Sequence, residues 1–144
     1  MTTATPDAPA ELAARNRDRI SRAATLLGRI ATEGGDTSAV LPTLNDMGVE
    51  LATAGAECSL LSEVHPDALV RAAAEEIVRE VTAFSTELQQ HRGLYDALGA
   101  LDEASLDELE RRVVFLQRRD MKRAGVELAG SEQQRVRELR QELV

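Results

Sequence analysis

Two histidines, His65 and His91, one cysteine, Cys58, and a run of cations around Arg118 are the side chains with which this 144-residue chain could bind a metal or react. A helix-borne zinc pair needs two histidines one turn apart, as in H-E-x-x-H, so that both rings aim at one ion. Neither His65 nor His91 has such a partner. Glu87 stands four residues before His91, but two ligands do not make a site. A di-iron bundle would need E-x-x-H pairs on two helices, and none occurs. His65 therefore reads as a loop or helix-junction residue, with a ligand or functional role as the alternative, and His91 as a helix-end residue whose imidazole can bond the last carbonyls.

Cys58 lies on an apolar stripe with no cation nearby to lower its pKa, so it reads as a small buried hydrophobe, with a reactive thiol as the alternative. The phosphate-cradling patterns G-x-x-x-x-G-K-[ST] and G-x-G-x-x-G are missing, as is the G-x-S-x-G elbow. Carboxylates are plentiful, but a catalytic pair is placed by the fold, and the acidic faces read as solvated. The cations Arg111, Arg112, Arg118, Arg119, Lys122 and Arg123 are opposed between them only by Asp120. They are either an anion-binding patch or, as the plainer reading, the basic end of a helix whose first turns carry Asp107, Glu108 and Glu110, matching its macrodipole. No catalytic, cofactor-binding or metal residue is assigned on these patterns.

The elements that must position these residues are helices. The first runs from about Ala10 to Glu33, with Leu12, Ile20, Leu27 and Ile30 on one stripe and Arg15, Arg17, Arg19 and Arg22 mostly on the others; Gly34-Gly35 stops it. The second starts near Thr37 or Ser38, since Pro42 is tolerated only near a first turn. Its stripe of Leu41, Leu44, Gly48, Leu51, Gly55, Cys58 and Leu61 carries two glycines, which predicts close approach by another helix there. Val64-His65-Pro66 breaks the chain. A third helix follows from Pro66 to about Gln90, with Val70, Ala73, Ile77, Val81, Phe84 and Leu88 as its stripe. Gly93 marks a break or kink. A short fourth helix carries Leu94, Tyr95, Leu98 and Leu101, and Asp102-Glu103-Ala104 forms a turn. The fifth opens on a capping box, Ser105-x-x-Glu108, turns Leu106, Leu109, Val113 and Leu116 inward, and ends at Gly125. The sixth opens on Ser131-x-x-Gln134, with Val136, Leu139 and Leu143 in register, and runs on without a stop signal. No repeat or low-complexity segment interrupts these elements.

Composition agrees. Only 2% of residues are aromatic and 43% are hydrophobic, so the core must be aliphatic, which favours helices over strands. The fold class expected is all-α, an antiparallel array of about six helices over residues 10–144, after a disordered leader at residues 1–9. A single cysteine forms no internal disulfide and points to a reducing compartment. No apolar run approaches the length of a membrane span, and no signal peptide is evident. A net charge of −8 argues against nucleic-acid binding. The expected location is cytoplasmic.

Three blocks carry a resemblance: His65-Pro66-Asp67 with Arg71-Ala72-Ala73, then Gln90-His91-Arg92-Gly93-Leu94-Tyr95, then Arg118 through Leu128 (RRDMKRAGVEL). In order and spacing they resemble the N-terminal helical region of the thimet oligopeptidase, oligopeptidase A and peptidyl-dipeptidase family of zinc metallopeptidases, over roughly Thr37 to Val144. Met121 stands where the family usually shows an aromatic residue. The resemblance implies a nearly all-helical enzyme that cleaves short peptides in a channel between two lobes, with zinc held by H-E-x-x-H and a downstream glutamate. Those residues lie C-terminal of the matched region, so none is carried onto this sequence, and zinc is implied for the full-length family only. The expectation is the N-terminal helical portion of such an oligopeptidase, walling the channel and inactive alone. Its partners would be the missing catalytic lobe and, through the whole enzyme, short peptides, with self-association through uncovered apolar faces. The alternative is a free-standing helical interaction module, and a third reading is an anion-binding protein.

Overall fold

The computed structural model describes residues 8–33 and 36–142. All regular structure among them is helical: α1 (Pro9–Glu33), α2 (Thr37–Val64), α3 (Ala68–Gln89), α4 (Arg92–Gly99), a 3-10 turn (Glu103–Ser105), α5 (Glu108–Arg123) and α6 (Gly130–Glu142). Residues 1–7, most of the expected leader, lie outside the described residues, as do the Gly34-Gly35 stop and Leu143 of the last stripe.

Each start has a local cause. Asp36, not Thr37 or Ser38, opens α2: its Oδ1 accepts from the Ser38 amide at 2.9 Å. Pro42 accordingly sits inside the helix rather than in its first turn. Asp67 opens α3 by accepting from the Leu69 amide at 2.8 Å, which moves the start two residues past Pro66. The capping box of α5 is Asp107 with Glu110, each side chain accepting from the other's backbone amide at 2.8 Å. Ser105 instead closes the 3-10 turn. Buried, extended Leu106 fixes this register, because it cannot both fill the core and enter the helix. The far end of α5 is a Schellman motif: the Val126 amide reaches the Met121 carbonyl at 3.1 Å and the Gly125 amide that of Lys122 at 3.0 Å. Gly125 has φ +89°, which a Cβ would strain.

Two compact units divide the chain. Unit 1 takes residues 1–26 and 44–85, and unit 2 takes residues 27–43 and 86–144. In unit 1, Leu12 and Ala13 of α1, Cys58 of α2 and Val70, Ala74 and Ile77 of α3 form the core, with Ile20, Leu61, Val78 and Val81 packed against it. Small alanines let these aliphatic stripes approach without aromatic filling. The α1 arginines are not merely solvated. Arg15 pairs with Glu57, Arg19 and Arg22 with Glu50, and Arg17 with both Glu76 and Glu80. The order Arg15–Glu57 and Arg22–Glu50 sets α1 and α2 antiparallel. Fully buried Asn16 spans the same seam, donating to the Leu12 carbonyl and to Glu57, both at 3.1 Å.

The glycine expectation shifts. A Cβ at Gly48 would meet nothing within 4 Å, and one at Gly55 would touch Val81 at an ordinary 3.6 Å. The close approach is in unit 2, where a Cβ at Gly93 would come within 2.9 Å of the Ala31 methyl. Gly93 is therefore the second residue of α4, pressed on α1, and not a break. The α5 stripe shifts too: Leu109 is 72% and Val113 44% exposed, while Leu106 and Met121 are buried.

Candidate functional site

Tyr95, the only tyrosine, is the node of unit 2. It is buried on α4, and its hydroxyl donates to Glu127 Oε1 at 2.7 Å. The Arg118 guanidinium of α5 lies 4.6 Å from the ring centroid and that of Arg92 5.7 Å, both within cation–π range. Arg118 fits because Gly99 has no side chain: a Cβ there would stand 3.0 Å from the Arg118 Nη2. Its Nε is buried without a hydrogen-bond partner among the described residues, and the Tyr95 ring and the Gly99 backbone pack around its guanidinium.

Around Tyr95 a groove of about 470 Å³ opens. Leu106, Val114 and Phe115 give it an apolar wall, and Arg111, Arg118, Arg119 and Lys122 line it with cations; Glu103 is the one carboxylate at its edge. Two of the cations are already matched. Arg119 bonds Asp120 at 2.8 Å and Lys122 bonds Glu127 at 3.0 Å. The Tyr95 hydroxyl first, and Lys122 second, hold the Glu127 carboxyl below the usual carboxylate range, while Glu127 raises Lys122. Neither Arg111 nor Arg118 forms an ion pair with any described residue. The cluster thus complements the helix C-terminus, as its sequence suggested, and also presents a concave, cationic surface.

The histidines have structural work. In unit 1, His65 Nδ1 accepts from the Asp67 amide at 3.1 Å, and Arg71 donates to the His65 and Pro66 carbonyls at 2.7 and 3.0 Å, locking the α2–α3 junction. In unit 2, His91 does not bond the last carbonyls of α3. It caps the next helix, its Nδ1 accepting from the Leu94 amide at 3.1 Å, a bond that needs an unprotonated Nδ1. Cys58 is fully buried, and burial, then the neighbouring Glu57 charge, push its thiol up to about 11. A thiol so protonated is a poor nucleophile and ligand at neutral pH. Among the described residues no group of three or more histidine, cysteine, aspartate or glutamate side chains could hold a metal ion.

A family model described as the neurolysin/thimet oligopeptidase N-terminal domain matches residues 37–133, about two thirds of the chain. The chain belongs to this family. No curated protein and no solved structure matches it.

Two of the three blocks that resemble the thimet oligopeptidase family meet in unit 2. Gln90 is buried and donates from Nε2 to the Ala124 carbonyl at 2.8 Å, while Tyr95 engages both Arg118 and Glu127. In this chain these residues clamp α4 onto α5 and its Schellman turn. The third block, with His65 and Arg71, performs the equivalent task at the α2–α3 junction of unit 1. The sequence had shown these residues as separate blocks. Their partnership was hidden because α4 and α5 residues far apart in sequence form the node. No helix among the described residues is long and apolar enough to cross a membrane.

Proposed function

We propose that this chain is the helical N-terminal portion of a zinc-dependent metallo-oligopeptidase, that it helps wall the channel admitting short peptides, and that it has no peptidase chemistry of its own. The observation that carries this reading is the family match across residues 37–133. Activation of water by zinc would then fall to a catalytic lobe of the whole enzyme. One feature of the chain supports the reading. Leu109 and Val113 of α5 are 72 and 44% exposed, an apolar stripe suited to packing on such a lobe.

The chain's contribution would then be steric and positional: helices braced within unit 1 by arginine–glutamate pairs and within unit 2 by the Tyr95 node would limit which peptides enter. Cytoplasmic residence, in line with the single buried thiol, belongs to the same proposal. A free-standing helical interaction module is the second reading, favoured by the same exposed α5 surface if no catalytic lobe accompanies the chain.

Reading the gene downstream of codon 144 separates the two. An in-frame continuation that reaches H-E-x-x-H is the expected result. A stop codon with no such frame at the locus would reject the first reading in favour of the second.

A further inference from the structure

The α5 face that lines the groove has a simple order. Arg111 is followed one turn later by Val114 and Phe115, and one further turn later by Arg118, so cation, apolar pair and cation share one side of the helix. Seven residues of α-helix separate the two arginines by about 10 Å along its axis. Both arginines lack an ion-pair partner among the described residues, and Arg118 is held in place by Tyr95 and Gly99 before any ligand arrives. Such preorganisation lowers the ordering cost of binding. The whole chain carries a net charge of −8. Charges more than about 8 Å away are largely screened at physiological salt, so the field in the groove is set by its lining cations together with the few carboxylates beside them, such as Glu103 and Glu127.

We propose that this groove is a binding site for an acidic peptide segment, with two carboxylates about 10 Å apart taken by Arg111 and Arg118 and an apolar residue between them resting on Val114 and Phe115. Planar guanidinium forks match carboxylates in bidentate fashion. In the polyproline II conformation residues three apart lie on the same face about 9 Å apart, which fits the arginine spacing, and the two residues between them project to either side, so the contact with Val114 and Phe115 is made by the flank of the segment. A bare phosphate would engage one arginine and leave the apolar wall uncovered, so the groove favours a peptide over a simple anion. Glu103 at the edge disfavours a third carboxylate there. The inference stands on the groove alone and does not depend on the oligopeptidase reading.

Titration of the full 144-residue chain with the peptide acetyl-Glu-Pro-Leu-Glu-amide, followed by NMR or calorimetry, tests it. The acidic peptide binds at least about tenfold tighter than its Gln-Pro-Leu-Gln counterpart. Arg111→Gln and Arg118→Gln each weaken binding at least about fivefold, as loss of a charge-assisted bond implies. Arg112→Gln, on an exposed side chain that does not line the groove, leaves it unchanged. Arg111 is itself exposed, so Arg111→Gln keeps the test open if Arg118→Gln disturbs the Tyr95 packing; circular dichroism checks both variants. No binding at millimolar peptide, equal binding of the Gln peptide, or indifference to Arg111→Gln would overturn the proposal. Displacement of the peptide by an equal concentration of inorganic phosphate would also overturn it, as the mark of a simple anion site.

Discussion

Two glycines show how differently one residue type behaves according to what faces it. Gly93 has an α1 methyl where its Cβ would go, so Gly93→Val should overpack α4 on α1 and lower stability by about 1–3 kcal/mol. Gly48 faces open space inside α2, so Gly48→Ala should raise stability by up to about 1 kcal/mol. Thermal melts of the two variants check both signs. Sequence patterning had placed the close approach at Gly48 and Gly55, because apolar periodicity reveals which face a residue occupies but not the distance to the next helix. Electrostatics at this scale gives a pH dependence. Hydrogen bonds from Arg22, and next from Arg19, hold the Glu50 carboxyl below its usual range despite some desolvation. A carboxyl depressed in the folded state contributes stability that is fully present above the unfolded pKa and is lost as pH falls through the folded value. The wild-type chain should therefore lose stability on acidification below about pH 4.5 more steeply than Glu50→Gln, in denaturant titrations run across that range.

At the scale of elements, the helical inventory was legible and the caps were not. All six helices were expected from apolar periodicity and from breaks at Gly34-Gly35, Pro66 and Gly125. Their starts moved by one or two residues wherever an aspartate competed with a serine, threonine or proline: Asp36, Asp67 and Asp107 each won. A carboxylate accepts a strong bond from the free amides and also complements the positive end of the helix. Asp107→Ala should therefore cost about 1 kcal/mol in chemical denaturation, while Ser105→Ala, outside the box, should cost markedly less; the reverse order would restore the box read from Ser105 and Glu108. The α5 stripe failed for a different reason. Leu109 and Val113 have helical spacing, but spacing alone does not say that a partner covers them.

For the whole molecule, that uncovered stripe is the informative feature. A chain of this family whose α5 face packs on another lobe should be adhesive when produced alone. Hydrophobic dye binding or self-association is expected of the 144-residue chain, and Leu109→Glu with Val113→Glu should reduce either one; a monomeric, dye-silent wild type would contradict it. The candidate site was half legible. The cations of α5 and the family blocks stand in the sequence, but the groove and the Tyr95 node exist only once α4 and α5 are brought together.

The central claim, a metallo-oligopeptidase portion without its own chemistry, is tested most directly by assaying the purified 144-residue chain on a quenched fluorescent short peptide with added zinc, with and without a chelator. The account predicts no turnover above the buffer blank in either condition. Zinc-dependent, chelator-sensitive hydrolysis by the pure chain would contradict it.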